Sequence, residues 1–191
     1  KMRDQGCGTC AMEASSIGLV EGRMTGSQVH TAIFTNFTQD HLDFHGDTDR
    51  YWQAKSLLFT WPNLRAAVIN MDDAKGQVVL DSCRTRGLAC WTYSVYRPAD
   101  VYADNLTFCS AGAHFRVHIK EQSYALALPI YGVYNISNVL AVLAALLSLG
   151  VSAQDAVHAC GHLQAVPGRM ELLHQTNHPV AVVDYAHTPD A

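Results

Sequence analysis

Apolar and polar residues are arranged in two different patterns along this chain. Up to Pro98, short apolar runs alternate with longer amphipathic segments, which is typical of an α/β domain. Between residues 102 and 128, polar and apolar residues alternate instead with the period of two that strands show. The pattern therefore predicts an α/β fold: a mostly parallel central sheet flanked by helices, with a small antiparallel section.

The individual runs predict where the strands and helices lie. Strands are predicted over residues 9–14, 31–35, 66–70, 88–93, 102–109, 113–120, 123–128 and 180–183. Helices are predicted over residues 48–59, 74–84, 136–149 and 153–163, with Asn135 and Ser152 as N-caps of the last two. Pro167-Gly168 interrupts the pattern. We therefore expect one domain over residues 1–168, and the first strand of a Rossmann-like domain within residues 169–191.

Composition restricts the class of protein. The chain has 191 residues, 49% hydrophobic and 16% charged, as expected of a globular protein. A net charge of −4 without a run of Lys or Arg argues against a nucleic-acid partner. The longest apolar run, residues 139–147, is shorter than the roughly 20 residues of a membrane span, so we expect no membrane association. Six scattered cysteines indicate reduced thiols in a cytoplasmic protein.

Polar residues collect near the ends of the predicted strands, where open α/β sheets bind ligands. The four clusters are Glu13-Ala14-Ser15-Ser16, the run from Thr35 to Asp43, the helix position Lys55, and Asn135-Ile136-Ser137-Asn138 with Arg169 and Asp184 further on. Each has a structural explanation when it is taken alone. The serines and Asn135 can cap helices, the aspartates can form turns, and Lys55 can be a solvated lysine. Only their joint occurrence in this order points to a function.

Together these clusters resemble the Mur ligase family, and within it the ligases that make the UDP-N-acetylmuramoyl tripeptide. The similar segments are residues 13–23, 34–46, 134–138, 166–171 and 183–190, which span nearly the whole chain in the family's order. The resemblance implies an ATP-dependent amide ligase of peptidoglycan synthesis. ATP would phosphorylate the D-glutamate carboxylate of UDP-N-acetylmuramoyl-L-alanyl-D-glutamate, and the amine of a diamino acid would then displace phosphate.

The resemblance also implies roles for single residues. Glu13 would hold a Mg²⁺ ion that touches ATP, while His41 and Lys55 would serve a second metal. An ammonium group cannot ligate Mg²⁺, so Lys55 would act as a carbamate, which is an oxygen donor. Two further groups are implied: Ser15, Glu21 and Arg23 at the UDP-muramoyl substrate, and Asn135, Asn138, Arg169 and Asp184 at the nucleotide. Many relatives have glutamine in place of Glu21. His187 lies in the motif without an assigned role.

One motif of the family is absent from these residues. No G-x-x-x-x-G-K-[ST] sequence occurs, and this is the loop that cradles the phosphates of ATP. We therefore expect an internal piece of a longer enzyme: most of its central, ATP-binding domain and the start of its C-terminal domain, inactive alone. The amino acid added is expected to be meso-diaminopimelate, because the chain is generally similar to Gram-negative members. We expect a monomer.

Two alternatives stay open at this point. The first is a related ligase, such as a folylpolyglutamate synthetase or a muropeptide-recycling ligase. The second is a non-catalytic metal-binding or interaction module. It would use Cys7 and Cys10, which have C-x-x-C spacing, or His158 and His162, which stand four residues apart on a predicted helix. Stoichiometric zinc that is lost when His158 is mutated would favour the second alternative.

Overall fold

The computed structural model describes residues 3–173 and 179–186. Its helices are α1 (Ser16–Val20), α2 (Leu42–His45), α3 (Thr48–Ser56), α4 (Gly76–Thr85), α5 (Val133–Ser148) and α6 (Ala153–Cys160), with 3₁₀ turns at Arg3–Gln5 and Leu57–Thr60. Its strands are β1 (Thr31–Phe34), β2 (Ala66–Asn70), β3 (Ala89–Ser94), β4 (Val101–Cys109), β5 (Gly112–Ile119), β6 (Gln122–Leu128), β7 (Glu171–Leu173) and β8 (Ala181–Val183).

Strands β1 to β6 form one sheet in which the spatial order equals the chain order. The pairs β1–β2, β2–β3 and β3–β4 are parallel. The pairs β4–β5 and β5–β6 are antiparallel hairpins. The mixed sheet that the sequence predicts is therefore confirmed, including the antiparallel section after Pro98.

The two faces of the sheet carry separate apolar cores. Side chains of a strand alternate between faces, so Val68 enters one core while Ala67 and Ile69 enter the other. The larger core lies under α5 and α6, and its fully buried members include Leu140 and Leu143. The smaller core packs β1 and β2 against α4 and the segment that follows α3. Helix α5 contacts β1, β2, β3 and β4, so it joins the parallel strands to the antiparallel section.

Helix α4 starts unusually close to the end of β2. A Cβ atom on Gly76 would lie 2.2 Å from the carbonyl oxygen of Asn70, a distance that no side chain can tolerate. The absence of a side chain at Gly76 therefore lets the helix turn directly away from the strand. This close approach places the loop of residues 71–75 at the carboxyl edge of the sheet.

Several predicted boundaries are wrong. Residues 9–14 form no strand and are mostly exposed, because they lie outside the six-stranded sheet and no strand of residues 3–173 and 179–186 pairs with them. Helix α5 begins at Val133 with Gly132 as its N-cap, so Asn135 lies inside the first turn. Helix α6 ends at Cys160 rather than at residue 163, although Ser152 caps it as predicted. The predicted helix over residues 48–59 becomes 3₁₀ at its end.

Strands β7 and β8 form a separate antiparallel sheet. The sequence predicts β8, which is confirmed, but it does not predict β7. All residues of β8 are exposed, and His187 lies outside the described residues. No helix in the described part of the chain is long and apolar enough to cross a membrane.

Candidate functional site

The ends of β1 and β2 are joined by polar side chains at the carboxyl edge of the sheet. Asn70, the last residue of β2, donates from Nδ2 to the carbonyl oxygen of Thr35 at 2.6 Å. Asp73 Oδ2 accepts from the backbone N–H of Phe37 at 2.7 Å, and its Oδ1 accepts from Lys75 N at 2.7 Å. These contacts fix the loops after β1 and β2 against each other.

Asp72 extends the same arrangement to β3. It accepts from the hydroxyl of Ser94 and from the backbone N–H of Val95, the latter at 2.7 Å. Neither Asp72 nor Asp73 is among the residues singled out from the sequence. The signal was available, because both lie within three residues of the end of β2, a strand whose residues are all buried. Carboxylates at that position lie at the ligand-binding edge of an open sheet.

Lys55 lies on α3 with its amine partly withdrawn from water. Asp47 starts this helix by accepting from Arg50 N at 2.8 Å. The Nζ atom of Lys55 lies 5.3 Å from the centre of the Tyr51 ring. Burial lowers the pKa of Lys55, while the nearby carboxylates of Glu13, Asp40 and Asp73 act in the opposite direction. Lys55 is therefore a half-buried lysine rather than a fully solvated one.

Tyr51 is the ring around which this cluster is packed. His45 stacks on it at 5.2 Å between ring centres, and Phe37 lies at 5.0 Å. His45 is buried, and its Nε2 lies 2.9 Å from the hydroxyl oxygen of Ser16. The Tyr51 ring thus connects the loop after β1 to α3, and His45 connects both to α1.

His41 joins the cluster in a rarely populated backbone conformation. Its ring centre lies 6.1 Å from that of Tyr51. Its φ of 52° falls in the left-handed region, which residues other than glycine adopt at a cost of about 1–2 kcal/mol. The backbone N–H of His41 donates to Asp40 Oδ1 at 2.8 Å, which holds this conformation. Strained residues of this kind concentrate at functional sites.

The donor set of this cluster fits a hard divalent cation. Among residues 3–173 and 179–186, no three His, Cys, Asp or Glu side chains are arranged to hold a metal by themselves. Glu13, Asp40 and Asp73 nevertheless supply carboxylates around Lys55. A carbamate on Lys55 would add another oxygen donor, and Mg²⁺ prefers such ligands. The predicted metal-binding roles of Glu13, His41 and Lys55 stay predictions.

The three residues predicted at the muramoyl substrate lie on or next to α1. Ser15 caps this helix, and its Oγ accepts from Gly18 N at 3.1 Å. Glu21 and Arg23 form an ion pair at 2.5 Å on the surface. The exposed guanidinium group remains accessible to an anionic ligand.

The predicted nucleotide residues lie around the start of α5. Asn135 Nδ2 donates to Tyr131 O at 2.8 Å, and Asn138 Nδ2 lies 3.5 Å from Asn135 Oδ1. Asp184 lies 3.4 Å from the hydroxyl of Tyr134, the residue before Asn135. Hydrogen bonds from the backbone N–H groups of Ala186 and then Met170 are the main causes that lower the pKa of Asp184.

Two aromatic residues complete this second group. The guanidinium of Arg169 lies 5.3 Å from the ring centre of Tyr185. The hydroxyl of buried Tyr93 donates to Phe34 O at 3.2 Å; burial and then the charge of Asp72 raise its pKa, while a hydrogen bond with Ser137 on α5 acts in the opposite direction. Tyr93 thus ties the start of α5 to the end of β1. Both groups of predicted residues therefore lie near the carboxyl edge of the sheet.

Comparison with known proteins agrees with this geometry. The Mur ligase middle domain matches residues 1–146. UDP-N-acetylmuramoyl-L-alanyl-D-glutamate–2,6-diaminopimelate ligases from Acidovorax sp. (strain JS42) and Janthinobacterium sp. (strain Marseille) are 47% and 41% identical over 95% and 97% of this chain. A solved structure of a ligase with the same name superposes with a TM-score of 0.85 at 36% identity, over 98% of this chain.

The chain spans 36% and 38% of the length of those two relatives and 39% of the solved structure. The match to the middle domain covers more than half of the 191 residues. The fold agrees as well, since the solved ligase superposes over nearly the whole chain. The chain therefore belongs to the Mur ligase family, whose middle domain it carries.

Proposed function

We propose that this chain is the central part of an ATP-dependent ligase that adds meso-diaminopimelate to UDP-N-acetylmuramoyl-L-alanyl-D-glutamate. The observation that carries the proposal is 47% identity over 95% of the chain with a ligase named for that reaction. Residues 1–168 would be its ATP-binding domain. Residues 169–191 would begin the next domain, which the separate sheet of β7 and β8 supports. A cytoplasmic, monomeric enzyme is part of the same proposal.

The cluster around Lys55 would activate the carboxylate of the substrate. Glu13, His41 and Lys55 would hold magnesium, which supplies positive charge to phosphate oxygens when it is bound. The role of the protein residues is to hold those oxygens in a fixed arrangement. The hydrogen bonds of Asp73 and the packing of Tyr51 support this role, because they fix the loop after β1, which carries His41, and α3, which carries Lys55.

Lys55 must carry a carbamate to contribute oxygen ligands. A lowered pKa increases the fraction of neutral amine, and only the neutral amine is nucleophilic. Its nitrogen would attack the carbon of CO₂, forming an N–C bond and releasing one proton. The product carries a negative charge on two oxygens in place of a cation. The nearby carboxylates of Glu13, Asp40 and Asp73 would disfavour that anion unless a cation lies between them.

The remaining residues would position the two substrates. Asn135, Asn138 and Asp184 would hold the nucleoside, with Arg169 at the phosphates. Ser15 and Arg23, with Glu21 beside them, would hold the muramoyl substrate. The terminal phosphoryl group passes from ATP to an oxygen of the D-glutamate carboxylate, and ADP leaves. The diamino acid amine then attacks the acyl carbon, loses a proton and expels inorganic phosphate.

The test is an assay of phosphate release by the complete gene product that contains these 191 residues. Release should require ATP, UDP-N-acetylmuramoyl-L-alanyl-D-glutamate and meso-diaminopimelate together, and mass spectrometry should detect the tripeptide product. L-Lysine serves as the alternative amine. Tetrahydrofolate with glutamate serves as the substrate pair of the related folate ligases.

Each result bears on a different part of the proposal. Turnover with lysine but not with diaminopimelate would overturn the choice of amino acid and keep the ligase. Turnover only with the folate pair would overturn the muramoyl substrate. The absence of any substrate-dependent phosphate release from folded protein would overturn the proposed activity.

A further inference from the structure

Two histidines at the end of α6 lie outside the site described above. His158 lies in the last turn of α6, and His162 follows in the connection towards β7. Both are exposed. Their ring centres are 4.8 Å apart, with an angle of 69° between the ring planes. The rings are therefore neighbours at the surface, in an edge-to-face arrangement rather than a parallel stack.

The hydrogen bond of His162 indicates which of its two ring nitrogens carries the hydrogen. Its Nδ1 lies 2.8 Å from the backbone carbonyl oxygen of His158. A carbonyl oxygen can only accept, so Nδ1 must carry the hydrogen. In the neutral ring, the lone pair then resides on Nε2. Histidines that bind metals commonly donate their other ring N–H to a carbonyl in this way, which fixes both the tautomer and the ring orientation.

The distance between the rings fits two ligands of one metal ion. Zinc–nitrogen bonds of about 2.0–2.1 Å put the metal about 3.2 Å from each ring centre. With an angle of about 90–110° at the metal, the two ring centres are then about 4.5–5.2 Å apart. The observed 4.8 Å lies inside this interval. The ring separation is therefore compatible with a shared ion, provided that each ring turns a nitrogen towards it.

We propose that His158 and His162 form a binding site for a divalent transition metal such as Zn²⁺, Ni²⁺ or Cu²⁺. Imidazole nitrogen suits these ions, whereas Mg²⁺ prefers oxygen ligands. Asp155 lies one turn before His158, but its Oδ2 accepts from the Ser152 hydroxyl at 2.7 Å at the start of the helix. The two imidazoles would therefore be the protein ligands, with water in the remaining positions. A bound ion would tie the last turn of α6 to the connection that leads to β7.

The site is tested by calorimetric titration of the complete gene product with Zn²⁺ and Ni²⁺ in excess Mg²⁺. Both His158→Gln and His162→Gln should weaken the binding event by about a hundredfold, because the second ligand no longer acts within the same molecule. His30→Gln is the matched control, since His30 is exposed and has no histidine one turn away. His41→Gln reports on the active-site cluster. Neither control should weaken this event.

Crystals soaked in Zn²⁺ locate the ion directly by anomalous scattering. The expected peak lies between the two rings, within bonding distance of a nitrogen of each. A peak bound by only one of them, or affinity unchanged in both variants, would overturn the proposal. Because both side chains are exposed, the variants should keep the melting temperature of the metal-free protein. The result is independent of the ligase activity.

Discussion

Two lysines show how the parallel and antiparallel halves of this sheet differ. The amine of Lys55, beside the parallel half, lies 5.3 Å from the Tyr51 ring. The amine of Lys120, in the turn between β5 and β6, lies 5.3 Å from the Trp91 ring. Lys120 is exposed, whereas Lys55 is half-buried among three carboxylates and has a lowered pKa. The same cation–π distance thus accompanies very different chemistry. Burial and charged neighbours, not the ring, distinguish the candidate site.

Strand direction explains why the carboxylates collect on one side. Parallel strands all end at the same edge, so the loops after β1, β2 and β3 meet there. Antiparallel strands end at opposite edges in turn, so β5 ends away from the carboxyl edge of the parallel strands, whereas β4 and β6 end at it. The antiparallel half contributes apolar surface to the core under α5 and leads, after β6, to the start of that helix. The carboxylate cluster around Lys55 therefore belongs to the parallel half, while the predicted nucleotide residues of α5 follow the antiparallel half.

The largest effect is expected from removing the lysine of the parallel half. In the complete gene product, Lys55→Ala should lower kcat by about 10²–10³-fold or more, as when other preorganised electrostatic groups are lost. Added bicarbonate should not restore activity, because alanine cannot form a carbamate. Lys120→Ala, with the same cation–π geometry, should keep kcat within about twofold. Steady-state kinetics gives kcat for both variants and for the parent enzyme. Equal kcat in both would remove Lys55 from the proposed site.

The next largest effect is expected on the free energy of unfolding, when the core under α5, the helix that joins the two halves, is disturbed. Leu140 is fully buried, so Leu140→Ala should lower the free energy of unfolding by about 2–5 kcal/mol. Val142→Ala, on the exposed side of the same helix, should change it by no more than about 0.5 kcal/mol. Urea unfolding followed by tryptophan fluorescence and by circular dichroism measures both. Two separate transitions in Leu140→Ala would show that the halves do not unfold as one unit.

A smaller effect is expected at the carboxyl edge. Asp73→Ala removes the acceptor of two backbone N–H groups and should cost about 1–3 kcal/mol of stability. Glu121→Ala, at an exposed turn of the antiparallel half, should be within about 0.5 kcal/mol of the parent. Thermal unfolding at matched pH compares them. If Asp73→Ala proved as mild as its control, the loop contacts would contribute nothing to the folded edge.

The smallest difference is expected between two buried thiols. Burial raises the pKa of Cys83, on the parallel side, and of Cys160, under the antiparallel side, to about 11 each. Since the thiolate is the reactive form, both should label far more slowly than exposed Cys7 and Cys10 at pH 8. Below the raised pKa, labelling of both should accelerate with rising pH by up to about tenfold per unit. Mass spectrometry of labelled peptides gives the rates. Unequal protection would mean that one half opens alone.

Sequence patterns predicted the elements that carry their own signal. Strand β2 is matched at both ends because it is a short apolar run, and β4, β5 and β6 are matched within one residue because their apolar residues alternate with polar ones. Residues 9–14 are apolar enough to be predicted as a strand, but a strand also needs a neighbour. Whether a segment pairs with another strand depends on the assembled sheet. The residue pattern of that one segment therefore cannot predict the pairing.

In the candidate site, too, some features could be predicted from the sequence and others depend on the folded chain. Glu13, His41 and Lys55 were identified by a family resemblance, and the structure brings the first and last close enough to interact. Asp73 was not singled out although it lies just after a buried strand, and its bonds to the backbone groups Phe37 N and Lys75 N appear only in the folded loops. Asn135 was interpreted as an N-cap, but its side chain donates to Tyr131 O within a helix that begins earlier. Contacts of this kind depend on the folded loops.

The agreement of strand order with chain order has a consequence for synthesis on the ribosome. As the chain emerges, each new strand from β2 to β6 finds its neighbour already made. Helix α5, which covers β1 to β4, emerges only after β6. One apolar face of the nascent sheet therefore stays uncovered until residue 148 has left the exit tunnel. We expect chaperones that shield apolar surface to bind ribosome-held chains that end before α5, and to release them once this helix is available.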